Sequence, residues 1–475
     1  MANKTKIVAT IGPASIGKSN LRKMMAAGMN VARLNFSHGL HSEHQKVIDH
    51  IRSLSKEMKR PVGILLDLQG PKIRTGRLKE GKPVLLKRSA VVKITTRDVE
   101  GGPEGIISCT YKGLPRDVHE GDSILIDDGM IELRVLSTQK DVVTCKVIQG
   151  GILKEHKGIN LPGIPVSVPS LTEKDKRDLE FGIRAGVDYV ALSFVRYAKD
   201  IKRIKAILAE RNAAIPVIAK IEKPEAVSDL DSIVASADGV MIARGDLGVE
   251  MKPEEVPAIQ KRIIKKAVAA NRLVITATQM LENMIENPVP TRAEASDVAN
   301  AIIDGTDAVM LSGETAVGKY PVKTVKMMSR IAAVTECSPF MHYNLPFERD
   351  PKDLIAHAIA QSAVAILQEL DAKAIVVFSV SGKTTKLISK QRPAKPVFSF
   401  SPAIGVYNRL SLIWGITPFW IPPIDDAKKI IEAGLGILLN KKLLKKEDLI
   451  IIVTGLALKQ GSTNMMKIHR VGHDD

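Results

Sequence analysis

Two short apolar runs in this chain end abruptly in charge. Pro216-Val217-Ile218-Ala219 leads into Lys220-Ile221-Glu222, and Gly239-Val240-Met241-Ile242-Ala243 leads into Arg244-Gly245-Asp246. A run of this kind reads as a strand of a parallel α/β sheet, whose ligands bind at the carboxyl ends of the strands. About one helix and its turns lie between the two runs, so they are expected to be neighbours. Two carboxylates and two cations would then share one ligand-binding rim. Two surface ion pairs at strand ends would show the same residues and contribute little, so this stretch alone leaves both readings open.

The elements that must position these residues recur along the chain. Ile7 to Gly12 carries Thr10, Asn30 to Ser37 carries Arg33, Asn35 and Ser37, and Val62 to Gly70 carries Asp67. After an interruption, Tyr189 to Val195 carries Ser193, and the two charged runs follow. Leu273 to Gln279 then carries Thr276 and Thr278, and Asp307 to Thr315 carries Ser312 and Glu314. About eight apolar runs in alternation with helix-like stretches are the rhythm of a TIM (β/α)8 barrel, with polar groups on the rim formed by its βα loops.

The interruption, residues 71–168, changes character. Val91-Val92-Lys93-Ile94-Thr95, Ser123-Ile124-Leu125-Ile126-Asp127 and Val142-Val143-Thr144-Cys145-Lys146-Val147 alternate at period two, with Gly121-Asp122 and Asp127-Asp128-Gly129 as turns. A small all-β module, expected to be a β-barrel, is thus inserted after the third strand at the ligand-binding end. That position suits a lid, which in phosphoryl transfer keeps water from taking the phosphoryl group. Residues 1–70 and 169–337 are the two parts of the barrel. From 338 to 475 a third unit reads as an α/β domain with a mainly parallel sheet, built on Ile375 to Phe378, Pro396 to Phe400 and Leu449 to Val453. Its first strand opens into Ser379-Val380-Ser381-Gly382-Lys383-Thr384-Thr385. Backbone N–H groups at a helix start plus Lys383 fit an anion. The loop lacks the first glycine of a P-loop, and an ordinary N-capped turn explains it equally.

Composition bounds the function. At 475 residues, two or three domains are expected, and 45% hydrophobic with 25% charged residues is the balance of a soluble globular protein. No apolar run reaches the length of a membrane span. Met1 to Lys6 leads straight into Ile7 without a signal-peptide apolar region, so a cytoplasmic location is expected. Cys109, Cys145 and Cys337 are widely separated, which indicates neither a disulfide framework nor structural zinc. The formal charge of +17 admits nucleic acid, anionic membranes or phosphorylated small molecules. Spread lysines and only 4% aromatics argue against a stacking surface for nucleic acid.

With these parts in place, the motifs carry a family resemblance along essentially the whole chain. Lys6-Ile7-Val8-Ala9-Thr10-Ile11-Gly12-Pro13, Ala32-Arg33-Leu34-Asn35-Phe36-Ser37-His38-Gly39 and Gly70-Pro71-Lys72-Ile73-Arg74-Thr75-Gly76 come first. Ile218-Ala219-Lys220-Ile221-Glu222, Ala243-Arg244-Gly245-Asp246-Leu247-Gly248 and Ala277-Thr278-Gln279-Met280-Leu281 follow. The chain resembles the pyruvate kinases. The resemblance implies the last step of glycolysis, transfer of the phosphoryl group of phosphoenolpyruvate to ADP, giving ATP and pyruvate. Carried over residue by residue, it implies Glu222 and Asp246 as ligands of Mg²⁺, which Mn²⁺ can replace. Lys220 then stands beside the transferring phosphoryl group, and Arg33 and Arg74 hold phosphate oxygens. Lys157 matches a lid residue that reaches the nucleotide phosphates, and Asn35 and His38 fall on the nucleotide side with Arg74. Gly245, Asp246 and Thr278 contact the substrate, with Thr278 near the carbon to be protonated. A threonine hydroxyl is too weak an acid to act alone, so a water relay is expected.

Many members bind K⁺ with the equivalents of Asn35, Ser37, Asp67 and Leu68 and carry glutamate where Lys72 stands here. The Lys72 ammonium could supply the charge of K⁺, as in the K⁺-independent subgroup. The resemblance also implies a homotetramer and a phosphorylated allosteric activator at Ser379, Ser381, Gly382, Lys383 and Thr384, with Gly461-Ser462-Thr463-Asn464 in the same domain. The chain ends soon after, so the extra domain appended in some relatives is expected to be missing. No nucleic acid or membrane partner is implied. Two other readings remain: a barrel lyase or phosphomutase acting on related enolates, which would not need Lys157 or the Arg74 segment, and a basic nucleic-acid-binding barrel, which leaves the polar strand ends unexplained.

Overall fold

The computed structural model describes residues 3–102, 104–341, 353–455 and 463–473. Eight parallel strands close on one another: Lys6–Ile11, Val31–Asn35, Gly63–Asp67, Tyr189–Leu192, Val217–Ile221, Gly239–Ala243, Leu273–Ala277 and Ala308–Leu311. Strands such as Lys6–Ile11 and Val217–Ile221 are buried at every position, because one face fills the barrel and the other lies under helices. Val8, Val31, Leu65, Ala191, Ile218, Met241 and Ile275 pack in the interior. Their chain neighbours Ile7, Ala9, Ala32, Leu34, Ile64 and Leu66 pack outward in a second core. The period of two, applied to strands buried on both faces, is what makes the sequence read as unbroken apolar runs.

Between the third and fourth barrel strands, the inserted module forms a six-stranded, mostly antiparallel sheet in the order Ile159–Asn160, Ser123–Ile126, Ile131–Gln139, Val142–Gln149, Val91–Thr95 and Ile106–Ser108. A two-stranded ribbon, Val84–Leu86 with Gly151–Leu153, lies beside it. The two end strands do not pair directly; the segment Ile73–Gly76 bridges them, with Ile159 N–H donating to the Ile73 carbonyl at 2.9 Å and Gly76 N–H to the Ser108 carbonyl at 2.9 Å, so backbone hydrogen bonds run round the module as a barrel requires. Burial alternates from Ile131 to Leu136, as the period-two pattern requires, around a core of Ile94, Ile124, Leu133, Val143 and Val147.

The C-terminal unit has a five-stranded sheet, ordered Ile416–Trp420, Val397–Ser401, Ala374–Phe378, Leu449–Gly455 and Thr463–Arg470, in which only the last strand is antiparallel. It seals the floor of the barrel. Leu410, Leu412, Ile413 and Ile416 belong to the same apolar cluster as the barrel interior. Around them the backbone crosses the boundary: Gly63 N–H donates to Ser411 Oγ at 2.9 Å and the Tyr189 hydroxyl to the Arg409 carbonyl at 2.8 Å. At its centre Asp307, just before the last barrel strand, pairs with Lys390 Nζ at 2.5 Å and Arg392 Nη2 at 2.9 Å. The Arg392 guanidinium lies 4.5 Å from the Trp414 ring. Burial pushes Lys390 down to about 8, against the pull of Asp307. Burial would raise the Asp307 carboxyl, but Lys390 and Arg392 outweigh it and hold it below its usual value.

Removing one partner of such a buried set leaves uncompensated charge. Asp307→Ala is therefore expected to cost about 3–5 kcal/mol, read as a lower midpoint of urea unfolding at pH 7; a cost near zero would show that desolvation already cancels the triad.

Candidate functional site

The rim at the carboxyl ends of the barrel strands gathers its charges around one carboxylate. Asp67, at the end of the third strand, is 1% exposed. Its Oδ2 accepts from Arg33 Nε at 2.6 Å, and its Oδ1 lies 3.3 Å from Lys220 Nζ. Register explains the meeting: Arg33 pairs with Leu65 and Asn35 with Asp67 on adjacent strands, so the arginine sits one layer below the acid. Arg33 also donates to Thr10 Oγ1 at 2.9 Å. Lys220 donates to Ser193 Oγ at 2.7 Å and lies 2.9 Å from Glu222 Oε1. Burial alone would lower the Lys220 ammonium, but Asp67 and Glu222 together hold it above its ordinary value. Burial would raise Asp67, and Lys220 and Arg33 overcome it. The rim is thus a chain of alternating charge, in which Lys220 is a fixed cation.

Glu222 is fully buried. Its Oε2 accepts from the Phe194 N–H at 2.7 Å. Oε1 has the Lys220 ammonium beside it but no hydrogen bond aligned on it. Burial pushes the carboxyl up, Lys220 opposes, and Asp246 adds its repulsion, leaving it above its usual value. Asp246 stands in the first turn of the helix Arg244–Glu250, its Oδ1 3.7 Å from Lys72 Nζ. Two mutually repelling carboxylates, one with an oxygen short of a hydrogen bond, fit a hard divalent cation. No third acid, histidine or cysteine joins them among the described residues. That donor set suits a Mg²⁺-like ion, which keeps further positions for water and substrate oxygens.

Thr278 is held in a conformation that β-branched residues avoid, φ +66°. Three bonds hold it: Oγ1 accepts from Gly245 N–H at 2.8 Å and donates to the Ala277 carbonyl at 2.6 Å, and its own carbonyl accepts from Arg244 at 2.7 Å. Arg244 turns behind the rim to Asp297 at 2.7 Å. Of the two cations in the opening motifs, Lys220 therefore faces the site, while Arg244 props Thr278.

The cations expected to meet phosphate lie near this chain. Arg74 bridges Gly158 across the mouth of the inserted module and donates to the His156 carbonyl at 3.2 Å, beside Lys157. Lys157 Nζ is 2.8 Å from Asp127. Burial first, then the charges of Arg74, Lys72, Arg33 and Lys174, hold the His38 imidazole below its ordinary value. Asn35 Oδ1 accepts from Ser37 N–H at 3.1 Å, and the Leu68 carbonyl accepts from Ser193 Oγ at 2.7 Å. In the C-terminal unit, Gly382 at φ +77° caps the helix Lys383–Lys390, Ser379 Oγ accepts its N–H at 3.0 Å, Ser381 Oγ lies 3.4 Å from the Lys383 nitrogen, Thr384 is buried, and Lys383 pairs with Asp353. Gly461 and Ser462 lie outside the described residues.

Three further residues have large roles in this geometry, of which Ser193 alone is read from the sequence, as the polar residue of its strand's run. Ser193 links Lys220 to the Leu68 carbonyl. Asp175 accepts from Gly70 N–H at 3.0 Å and from Thr172 N–H at 2.8 Å, tying both crossings to the inserted module together. Glu250 joins Lys223 and Asn160. Of the other two, only Asp175 had a local signal, the capping box Thr172-x-x-Asp175.

A closed barrel with hard carboxylates and fixed cations on its rim, under an inserted sheet, defines a metal-dependent phosphotransferase. Comparison with known proteins specifies which. The model of the pyruvate kinase barrel domain matches residues 2–325, and that of the pyruvate kinase alpha/beta domain matches 357–469. A pyruvate kinase of Geobacillus stearothermophilus is 47% identical, over 99% of this chain and 80% of its own. One of Corynebacterium efficiens is 45% identical over 100% and 99%. The crystal structure of a pyruvate kinase from Cryptosporidium parvum superposes with a TM-score of 0.91 at 39% identity, covering 98% of this chain and 96% of that one. The chain belongs to the pyruvate kinase family. It transfers the phosphoryl group of phosphoenolpyruvate to ADP, giving ATP and pyruvate, and requires a divalent metal ion.

The hinge offers a test of the geometry. Gly70 has φ +67°, and a Cβ there would meet Phe194 Cδ2 at 2.8 Å. Gly70→Ala is expected to destabilise the protein by about 1–3 kcal/mol and, by displacing Phe194 from Glu222, to raise the metal concentration needed for half activity; an unchanged metal requirement would uncouple the two.

Proposed function

We propose that Glu222 and Asp246 hold Mg²⁺, with Mn²⁺ able to replace it, and that Lys220 neutralises the phosphoryl group in flight. The observation that carries this reading is the buried chain Arg33–Asp67–Lys220–Glu222, which fixes a cation against two carboxylates before any ligand arrives. Preorganised charge of this kind supplies most of the catalysis in phosphoryl transfer. When bound, the metal ion neutralises substrate oxygens. Arg33, 9% exposed, and Arg74 orient phosphate oxygens, while Gly245, Asp246 and Thr278 shape the side on which the enolate sits. Asn35, His38, Arg74 and Lys157 take the nucleotide phosphates. Protonation of the enolate near Thr278 runs through water, since its hydroxyl already donates to the Ala277 carbonyl.

Residues 71–168 act as the lid, residues 1–70 and 169–337 as the barrel and 338–475 as the effector-binding domain. The loop at Ser379, Ser381, Gly382, Lys383 and Thr384 takes a phosphorylated activator; the left-handed Gly382 before a helix supports this. A homotetramer fits the exposed Val334, Leu354 and Ile355. Among the described residues no helix is long and apolar enough to cross a membrane, and a cytoplasmic location suits the reaction.

Lys220→Met is expected to abolish turnover, by about 100-fold or more, with metal binding retained, whereas Glu222→Gln raises the metal half-saturation first. Manganese titration followed by electron spin resonance, alongside a coupled pyruvate assay, separates the two; wild-type turnover in the lysine variant would overturn the assignment.

The second reading concerns K⁺. The Asp67 oxygens and the Leu68 carbonyl, half of the set Asn35, Ser37, Asp67 and Leu68, already receive protein donors, and Lys72 brings a positive charge beside Asp246. We therefore expect activity in Na⁺ or a bulky organic cation to match that in K⁺. A large K⁺ activation of the wild type would refute it.

A further inference from the structure

The inserted module must bring Lys157 to the nucleotide when the metal is in place, and one buried acid connects the two. Glu250 ends the short helix that begins with Arg244 and Asp246. Its side chain is 0% exposed. Oε1 receives two donors, Lys223 Nζ at 2.6 Å and Asn160 Nδ2 at 2.8 Å. Oε2 is buried with no hydrogen-bond partner.

Each of these partners adjoins a different working part. Lys223 follows Glu222 in the chain. Asn160 belongs to the strand Ile159–Asn160 of the inserted module, three residues after Lys157. That strand pairs with Ser123–Ile126, next to the Asp127 that holds the Lys157 ammonium. A cavity of about 30 Å³ runs along this boundary, lined by Lys72, Asn160, Phe194, Lys223, Asp246 and Glu250. Both carboxylates of the helix thus border the space between barrel and module.

We propose that Glu250 is a positioning residue that couples the Lys157 strand of the module to the segments carrying Glu222 and Asp246. A buried carboxylate sharing one oxygen between an ammonium and an amide makes charge-assisted bonds, stronger than neutral ones. An ion pair kept for barrel stability alone would not need the third partner from the module side of the boundary. With it, displacement of the module pulls on the helix of Asp246 and on the loop of Glu222. Coupling of this sort is reciprocal: what nucleotide binding does to metal affinity, metal binding does to nucleotide affinity. The proposal rests on the reading that Glu222 and Asp246 hold the metal and that Lys157 meets the nucleotide.

The test is a double-mutant cycle on the full chain with Asn160→Ala and Glu250→Gln. Each single variant is expected to raise the KM for ADP and the Mg²⁺ half-saturation by about tenfold, the scale of lost outer-shell partners. The KM for phosphoenolpyruvate stays unchanged, and the double variant is no worse than either single. Additive losses in the double variant, or equal losses for both substrates, would overturn the coupling, because a merely structural role moves both. Should Glu250→Gln fail to fold, Asn160→Ala alone decides: an ADP-selective defect together with a raised Mg²⁺ requirement supports the proposal, and its absence refutes it. Lys157→Ala in the same assay separates the two layers. Wild-type ADP kinetics there would overturn the site reading and the proposal with it, whereas a defect there beside additive losses elsewhere removes only the coupling.

Discussion

Asp67 carries the rim. It is 1% exposed and faces two cations, Arg33 and Lys220, whose own side chains are 11% exposed. Charges so far from water persist only when paired and hydrogen-bonded. The pairing therefore dictates the neighbouring strands: Arg33 comes from the second, a layer below the acid, Lys220 from the fifth, and Ser193 from the end of the fourth. A barrel is the architecture that brings the ends of non-adjacent strands to one ring, and its closed ladder holds them there without loops. Glu222 is then drawn to Lys220, and Asp246 is left close enough to repel it. That repulsion is a standing demand for a divalent cation.

Much of this arrangement was legible in the letters. Runs of apolar residues ending in Thr10, Arg33, Asp67, Ser193, Lys220 and Thr278 mark buried strands and a polar rim, because the periodicity of a strand buried on both faces is local. The same patterning gave the barrel, the insertion and the C-terminal sheet, and the motifs then carried the family resemblance. What stayed hidden depends on reach through space. Nothing local names Asp297 as the partner of Arg244; that depends on which neighbours stand behind the strand end. Glu250 looked like any acid at the end of a short helix, since Asn160, its module-side partner, lies ninety positions away. How the inserted sheet closes was hidden for the same reason: alternation specifies faces, not that the segment Ile73–Gly76 joins the last strand to the first.

Mobility is confined by the same means. The module is joined to the barrel by two crossings, and Asp175, fully buried, accepts from Gly70 on one and Thr172 on the other. A single carboxylate thus fixes the spacing of the hinge, while the left-handed Gly70 lets the chain turn tightly against Phe194. Closure of the module as the proposed lid would pivot about this clamp, and the Asn160–Glu250 contact lies on the boundary between the two parts.

The two ends of the barrel use one chemistry for opposite purposes. At the floor, Asp307 holds Lys390 and Arg392 with side-chain exposures of 1%, 0% and 2%. Water and ligands have no access, so those partners stay together, and the C-terminal domain is fixed to the barrel. At the rim, Lys220 and Arg33 keep 11% of their side chains exposed, and Asp246 keeps 25%. On the proposed assignment, that residual access is what lets a cation share its charge between a carboxylate and an arriving phosphate oxygen without leaving its place. A fully sealed rim would be as stable as the floor and as inert, and a fully open one would let water screen the field on which phosphoryl transfer depends. The helix Lys383–Lys390 touches both regimes, with the exposed Lys383 in its first turn and its last residue locked on Asp307.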